Sequence, residues 1–442
     1  MGDISNAIPP GSKTVTAIYA WYKNLGNSER PRRYLGASLI GHACDRYLWF
    51  CFRHCCTSDF DGRMYRLFER GNLEENRIAS DLRNIGCKVH LHNPLGFKHQ
   101  QFAVSALNGH FRGHLDGCVL GIPEAPKTWH VLEIKTHNAK SFAKLKSEGV
   151  QLTKPMHWIQ CQVYMHLTGM TRTLYMGVNK DTEELYAERL KYDKDIGEAT
   201  IVRAYEIIQA TEPPPGISDR RDFWECKFCD ARDICHGAGP PLPALHVPSL
   251  SCCQCCHATP IMEGEDGYWK CELKGGALPI DGPCKQHLTL PGLIPVCEAK
   301  DFRDNSILFS SEVFGDWWHG NDPGQYTSEE LTKLPLPLLT DDMIATAKEQ
   351  FHATATEASE DILERYTLSP QKSRVVWNGQ LDSAAISVAW LAAYGVSLTC
   401  SEQIGKCNFP THSVAEYAGN RIIVAYPLKG KAEIRDYENV TF

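Results

Sequence analysis

The run from Gly113 to Lys135, GHLDGCVLGIPEAPKTWHVLEIK, constrains this chain more than any other part of it. Two strand-like segments, residues 111–120 and 129–135, flank a proline-bearing loop at 121–128, a pattern that predicts a hairpin. Side chains alternate along a strand, so Glu133 and Lys135 project to one face and Ile134 to the other. With Asp116 on the same face of the neighbouring strand, two carboxylates and one amine converge on a small volume. Carboxylates that close repel each other unless a divalent cation lies between them. Hard cations such as Mg²⁺ take oxygen ligands from one or two carboxylates and fill their shell with water and phosphate oxygens. The run has the outline of a metal-dependent phosphoryl-transfer site.

The elements around it fit an α/β sheet. A helix is predicted over 64–85, where Leu67, Gly71, Ile78, Leu82 and Ile85 form one stripe. Glu74 and Glu75 flank that stripe, and a carboxylate beside a buried stripe needs a partner, which a metal would supply. Short strands are expected at 88–92 and 101–106, and a helix start at 38–52 carries Cys44. After Lys135 come a basic helix at 139–148 and a second helix at 154–167, where His157, Gln160 and Tyr164 share a stripe. A strand pair at 174–179 and 185–192 and a helix at 197–210, stopped by EPPPG, complete the set.

In chain order, G-x-x-x-E (Gly71, Glu75), G-x-x-D (Gly113, Asp116), E-x-K (Glu133, Lys135) and Q-x-x-x-Y (Gln160, Tyr164) resemble the PD-(D/E)XK nuclease superfamily, in its RecB-like and lambda-exonuclease-like branch. The resemblance covers the first half of the chain. It implies a restriction-endonuclease-like mixed sheet flanked by helices. It selects Glu75 over Glu74 as a metal ligand, with Asp116, Glu133 and the Ile134 carbonyl, around Mg²⁺ or Mn²⁺. Lys135 would orient or deprotonate the attacking water, and Gln160 and Tyr164 would position the strand. The implied activity is hydrolysis of phosphodiester bonds in DNA, by an exonuclease or end-processing enzyme, in recombination, repair or replication. Nucleases of this kind are carried by bacteriophages and prophages, which implies the cytoplasm of a bacterial host. The implied partners are DNA, at ends or as single strands, with a single-strand annealing protein or a helicase. A non-catalytic nucleic-acid-binding scaffold that keeps the nuclease fold is the alternative, as is RNA as substrate.

Composition narrows the setting. At 442 residues, the chain has room for two or three domains. The longest apolar run, AAISVAWLAAY at 384–394, is too short to span a bilayer, and the first residues, MGDISNAIPPGSK, lack the apolar core of a secretory signal. Membrane partners are not expected. A net charge of −7 is not the footprint of a protein that coats DNA. Arg30, Arg32, Arg33, Lys140, Lys144, Lys146 and Lys154 are the candidates for a basic cleft, and solvated surface charge explains any one of them equally well. GIPEAPKT mimics a phosphate loop, but Pro126 replaces the glycine that would offer an N–H, so a hairpin turn is expected and any motor would be a partner.

Nineteen cysteines without a secretory signal point to metal rather than disulfides. Cys226, Cys229 and Cys235 lie in C-x2-C-x5-C and need a fourth ligand. Together with Cys44, they resemble the clasp of AddB-type nucleases, which implies a [4Fe–4S] cluster. Zinc on the same residues is the alternative, His236 could replace Cys44, and Cys51, Cys55 and Cys56 are competing N-terminal ligands. Beyond a Pro-rich linker at 237–249, Cys252, Cys255, Cys271 and Cys284 give a zinc-ribbon-like set, with His287 as an alternative fourth ligand and Cys253/Cys256 as a second register. The expected domains are a nuclease domain at 1–240, a zinc module at 250–295 and a C-terminal region at 296–442. The last is read as a long helix or two at 340–366, then a small α+β unit at 374–442 with a helix at 384–394. Cys400, Cys407 and His412 are read there as buried side chains, with metal binding as the alternative.

Overall fold

The computed structural model describes residues 12–28, 32, 34–93, 101–237, 243–262, 267–278, 282–334, 336–340, 344–345, 348–349, 353–357, 396–400, 413–418, 421–428 and 431–437. The chain divides into two units: Met1–Arg53 with Thr57–Ile217 and Pro260–Trp269, and His54–Cys56 with Ser218–Thr259 and Lys270–Phe442.

In the first unit the chain runs α1 (Lys13–Asn27), β1 (Leu35–Gly36), α2 (Asp45–Phe52), α3 (Gly62–Asn84), β2 (Lys88–His90), β3 (Phe102–Ala106), β4 (Phe111–Leu115), β5 (Gly117–Leu120), β6 (His130–His137), α4 (Ala139–Thr153), α5 (Pro155–Thr168), β7 (Arg172–Asn179), β8 (Leu185–Lys191) and α6 (Lys194–Gln209). Short polar side chains start three of these helices. Asp61, Asn138 and Asp193 each accept a backbone N–H from the first turn, which would otherwise have no partner. The basic helix breaks at Gly149, whose φ of 76° suits glycine, one residue after the expected end.

A five-stranded sheet has the order β2-β5-β6-β7-β8. Its central pair, β6 and β7, is parallel, with α4 and α5 forming the crossover, and its other pairs are antiparallel. One face buries Val119, Leu132, Ile134, Leu174, Met176 and Val178 against Ile78, Ala79 and Leu82 of α3. The mixed α/β sheet flanked by helices agrees with expectation, but two details differ. Ile85, counted in the helix stripe, is 64% exposed at the C-cap of α3. Residues 111–120 are not one strand: the chain leaves a small sheet, β1-β4-β3, at Leu115 and enters the large one at Gly117. Asp116 is the bend between them.

The expected helix at 38–52 is shorter, because residues 37–41 turn before α2 begins. Arg203 of α6 fixes that turn, donating to the Ile40 and His42 carbonyls at 2.6 Å each and to the Asp45 carboxylate.

The second unit holds α7 (Arg232–His236), an antiparallel sheet of β11 (Glu298–Arg303), β12 (Ser306–Ser311) and β13 (Gly315–His319), and the short helices α8 (Ser328–Leu331) and α9 (Leu336–Leu339); β9 (Ala258–Ile261) and β10 (Tyr268–Cys271) precede that sheet in the chain. Further along are the pair β14 (Ala353–Glu357) and β15 (Val396–Cys400) and the sheet of β16 (Ser413–Ala418), β17 (Arg421–Leu428) and β18 (Lys431–Tyr437). The stretch expected to be a linker is packed where it is described: Leu245 is buried and donates its N–H to Leu331 O. The helix expected at 340–366 gives way to strand at β14, whose alternating Thr and Ala suit a pleated ladder with β15. The expected helix at 384–394 lies outside the described residues, as do Cys407 and His412. Among the described residues, no helix is long and apolar enough to cross a membrane.

Candidate active site

Alternation along β6 puts Glu133, Lys135 and His137 on the sheet face opposite the α3 core. Where the β5–β6 ladder ends at Gly117↔Leu132, the Asp116 side chain takes over: its Oδ2 accepts the Ile134 N–H at 2.7 Å. That bond turns the carboxylate toward β6. Glu133 is fully buried, and its Oε2 accepts no hydrogen bond. The Lys135 ammonium lies against Glu133 Oε1, 3.7 Å from Asp116 Oδ2 and 3.3 Å from the Ile134 carbonyl oxygen.

Those three oxygens are among the ones expected, with Glu75, to hold the metal, and Lys135 supplies the positive charge among them. Among the described residues, no three His, Cys, Asp or Glu side chains already form a set that could hold a metal ion. Here an ammonium stands between the oxygens instead.

Glu75 joins the group from α3, one turn before Ile78 and Ala79. Its carboxyl is pushed up to about 7 by burial and by Asp116, with Lys135 pulling the other way. Burial likewise raises Glu133, against the pull of Lys135. Burial would lower Lys135, but the Glu133 and Asp116 carboxylates outweigh it and keep the ammonium charged. Glu74, the other candidate, is also buried, but it points to an ion pair with Arg77 at 3.6 Å.

Tyr164 and Gln160 are buried on α5. Gln160 donates to the Tyr164 hydroxyl, which donates to the His114 carbonyl at 2.7 Å. This explains the glycine two residues after Phe111: a Cβ at Gly113 would stand 2.5 Å from the Tyr164 ring. Gly117 is needed for a similar reason, since its Cβ would meet His90 O at 2.6 Å.

A second polar chain lies beside Lys135. The Tyr175 hydroxyl bonds His157 Nδ1 at 2.8 Å and His137 Nε2 at 3.1 Å. Burial, then neighbouring cations, push His137 down to about 4 and His157 down to about 3. The sequence reading missed Tyr175, which comes into place through the parallel register Glu133↔Tyr175. It missed His137 too, which alternation two residues past Lys135 could have found. Lys154 lies near enough to depress both imidazoles, whereas Lys146 is paired with Glu184 and Arg30 and Arg33 lie outside the described residues.

The cysteines fall in different places. Cys44 is the N-cap residue of α2, in the first unit, and its N–H donates to His42 Nδ1. Cys226, Cys229 and Cys235 belong to the second unit, which also contains Cys55 and Cys56. Cys252, Cys255, Cys271 and Cys284 line one cavity in that unit. His287 has both ring nitrogens engaged, Nδ1 with Ser328 Oγ at 2.8 Å and Nε2 with Ser251 O at 2.9 Å.

No family model and no curated protein matches the chain. Among solved structures it is similar to SSO0001, with 15% identity and a TM-score of 0.30 over 50% of this chain and 96% of that one. It is also similar to an alkaline exonuclease, LHK-Exo from Laribacter hongkongensis, with 16% identity and a TM-score of 0.25 over 43% of this chain and 90% of that one. The complex of LHK-Exo with dAMP gives 16% identity and a TM-score of 0.27, over 43% and 90%. At TM-scores this low, these likenesses decide nothing about the chemistry.

Proposed function

We propose that this chain is a divalent-metal-dependent nuclease that hydrolyses phosphodiester bonds in DNA. One observation carries the reading: Asp116, Glu133 and the Ile134 carbonyl gather around a single cationic position, with Glu75 beside them. The donor set is all oxygen, which suits Mg²⁺ or Mn²⁺. The Glu133 Oε2 is a buried carboxyl oxygen without a hydrogen-bond partner, and a cation there would both satisfy it and favour its ionised form, so these residues fit such an ion. When bound, the metal would polarise the scissile phosphate and acidify an attacking water.

The chain's own groups would do the rest. Asp116 would bind from the bend before β5, Glu133 from β6 and Glu75 from α3. Lys135 would leave its place among the oxygens and turn its Nζ to the water and the phosphate charge. Tyr164 and Gln160, both buried, hold β4 and with it the Asp116 bend, so their part is to position the ligand. The choice of DNA and of end processing in recombination, repair or replication rests on the sequence resemblance, as do the bacterial-host setting and the protein partners.

The test is cleavage of end-labelled linear duplex, single-stranded DNA and RNA, with Mg²⁺, Mn²⁺ or chelator. The expected result is metal-dependent loss of DNA from its ends, reduced at least about 1,000-fold in D116N. Wild-type rates in D116N would sink the assignment, and metal-independent binding without cleavage of any substrate would favour the scaffold. Cys226, Cys229 and Cys235 carry a separate proposal of [4Fe–4S], which rests on the sequence resemblance. Iron content and visible absorbance of anaerobic protein test it, with zinc as the alternative.

A further inference from the structure

We infer that Cys252, Cys255, Cys271 and Cys284 form a closed four-sulfur zinc site in the second unit. The inference does not depend on the nuclease reading.

All four thiols line one cavity of about 350 Å³. Cys252 and Cys255 sit at the two ends of a single 3-10 turn, which a capping box between Ser251 and Gln254 closes. Cys271 ends β10, and Cys284 comes from the loop that returns past Gly282. One ligand pair held by a tight turn and two single ligands from a strand end and a loop supply the four donors a tetrahedral ion needs.

The structure decides between the two registers the sequence left open. Neither Cys253 nor Cys256 lines the cavity. The two imidazoles at the cavity are engaged elsewhere. His287 is bonded through both nitrogens, and His257 Nε2 faces Asn305 Oδ1. That leaves sulfur alone.

Backbone amides provide the second observation. The Leu288 N–H points at the Cys255 sulfur and the Lys274 N–H at the Cys271 sulfur, each at 3.4 Å. Donors aimed at sulfur favour its anionic form, and several thiolates in one buried cavity repel unless a cation joins them. A soft, closed, four-sulfur set with no position for water suits a structural ion rather than a catalytic one. The sulfurs line the cavity without meeting, and binding would draw them to the Zn–S distance of about 2.3 Å.

The site would also tie together the chain around it. Gln254, inside the turn, donates through Nε2 to the carbonyls of His54 and Ser249, and its own carbonyl accepts the Leu290 N–H. An ion here would thus lock three separate stretches of the second unit.

The experiment uses the full chain. Metal content of purified protein should show zinc beyond any held at Cys226, Cys229 and Cys235, and C226S should keep it. C252S and C271S should each lose about one zinc per chain, while C253S should not. Serine variants risk misfolding, so native protein is also alkylated with and without a strong chelator, and modified cysteines are mapped. Cys252, Cys255, Cys271 and Cys284 should react at least about tenfold faster after chelation. Equal rates, an ion lost from C253S but not C252S, or iron in place of zinc would each overturn the inference. None of these readouts involves cleavage, so an inactive enzyme would leave the result intact.

Discussion

Lys135 holds the centre of the site, among the oxygens of Glu133, Asp116 and Ile134. An ammonium there competes with a metal for the same anions. Replacing it with the similarly shaped but uncharged methionine should strengthen Mn²⁺ binding about tenfold at about pH 8.5, where the carboxyls are ionised, even as cleavage disappears. Titration calorimetry of K135M would show this, and weaker binding would mean that the lysine helps to build the site. Strand alternation made Glu133 and Lys135 legible, because a period of two fixes side-chain direction without knowledge of the rest of the fold, whereas Asp116 was picked out by its G-x-x-D spacing. Tyr175 was not legible. Its place depends on which strand pairs with β6 and in what register, and nothing local to residue 175 encodes that.

At the scale of elements, the two motif glycines behave differently. Gly113 is filled from outside by the Tyr164 ring, whereas a Cβ at Gly71 would meet nothing within 4 Å. G113A should therefore cost about 1–3 kcal/mol by overpacking. G71A, within α3, should add about 0.5–1 kcal/mol from helix propensity. Urea unfolding of the two variants checks both signs, and an unstable G71A would point to a contact not seen in the free chain. The helices of the first unit were legible mainly through their apolar periods. The break at Asp116 was not, because residues 111–120 keep a strand-like composition through the bend and only the change of partner sheet interrupts the ladder.

For the molecule as a whole, buried imidazoles set a response to acid. His137 in the first unit and His319 in the second are each pushed down to about 4, chiefly by burial, and His157 further, to about 3. In the unfolded chain a histidine titrates near about 6.5. Between those values the unfolded chain holds a proton that the folded chain refuses, so stability falls as pH falls from about 6.5 toward about 4. Each group accounts for up to about 3 kcal/mol. Glu75, pushed up to about 7, and Glu133, also raised, act in the opposite sense over the same window, so the test is H319Q: its urea midpoint should fall less steeply than that of the unaltered chain, and an unchanged slope would count against neutral burial of this ring. The second unit was the least legible part of the chain. Its β14 pairs with β15 some forty residues on, a contact that no window around residue 355 can announce.

Asp116 has two duties: it holds the Ile134 amide and faces the cationic centre. Asparagine at 116 could keep the first duty, since its amide oxygen still accepts an N–H, but it would lose the charge the second requires. Among descendants of such a chain, an amide at this position would mark a site retired from hydrolysis with its architecture intact. A small apolar residue would mark a bend that had to be rebuilt.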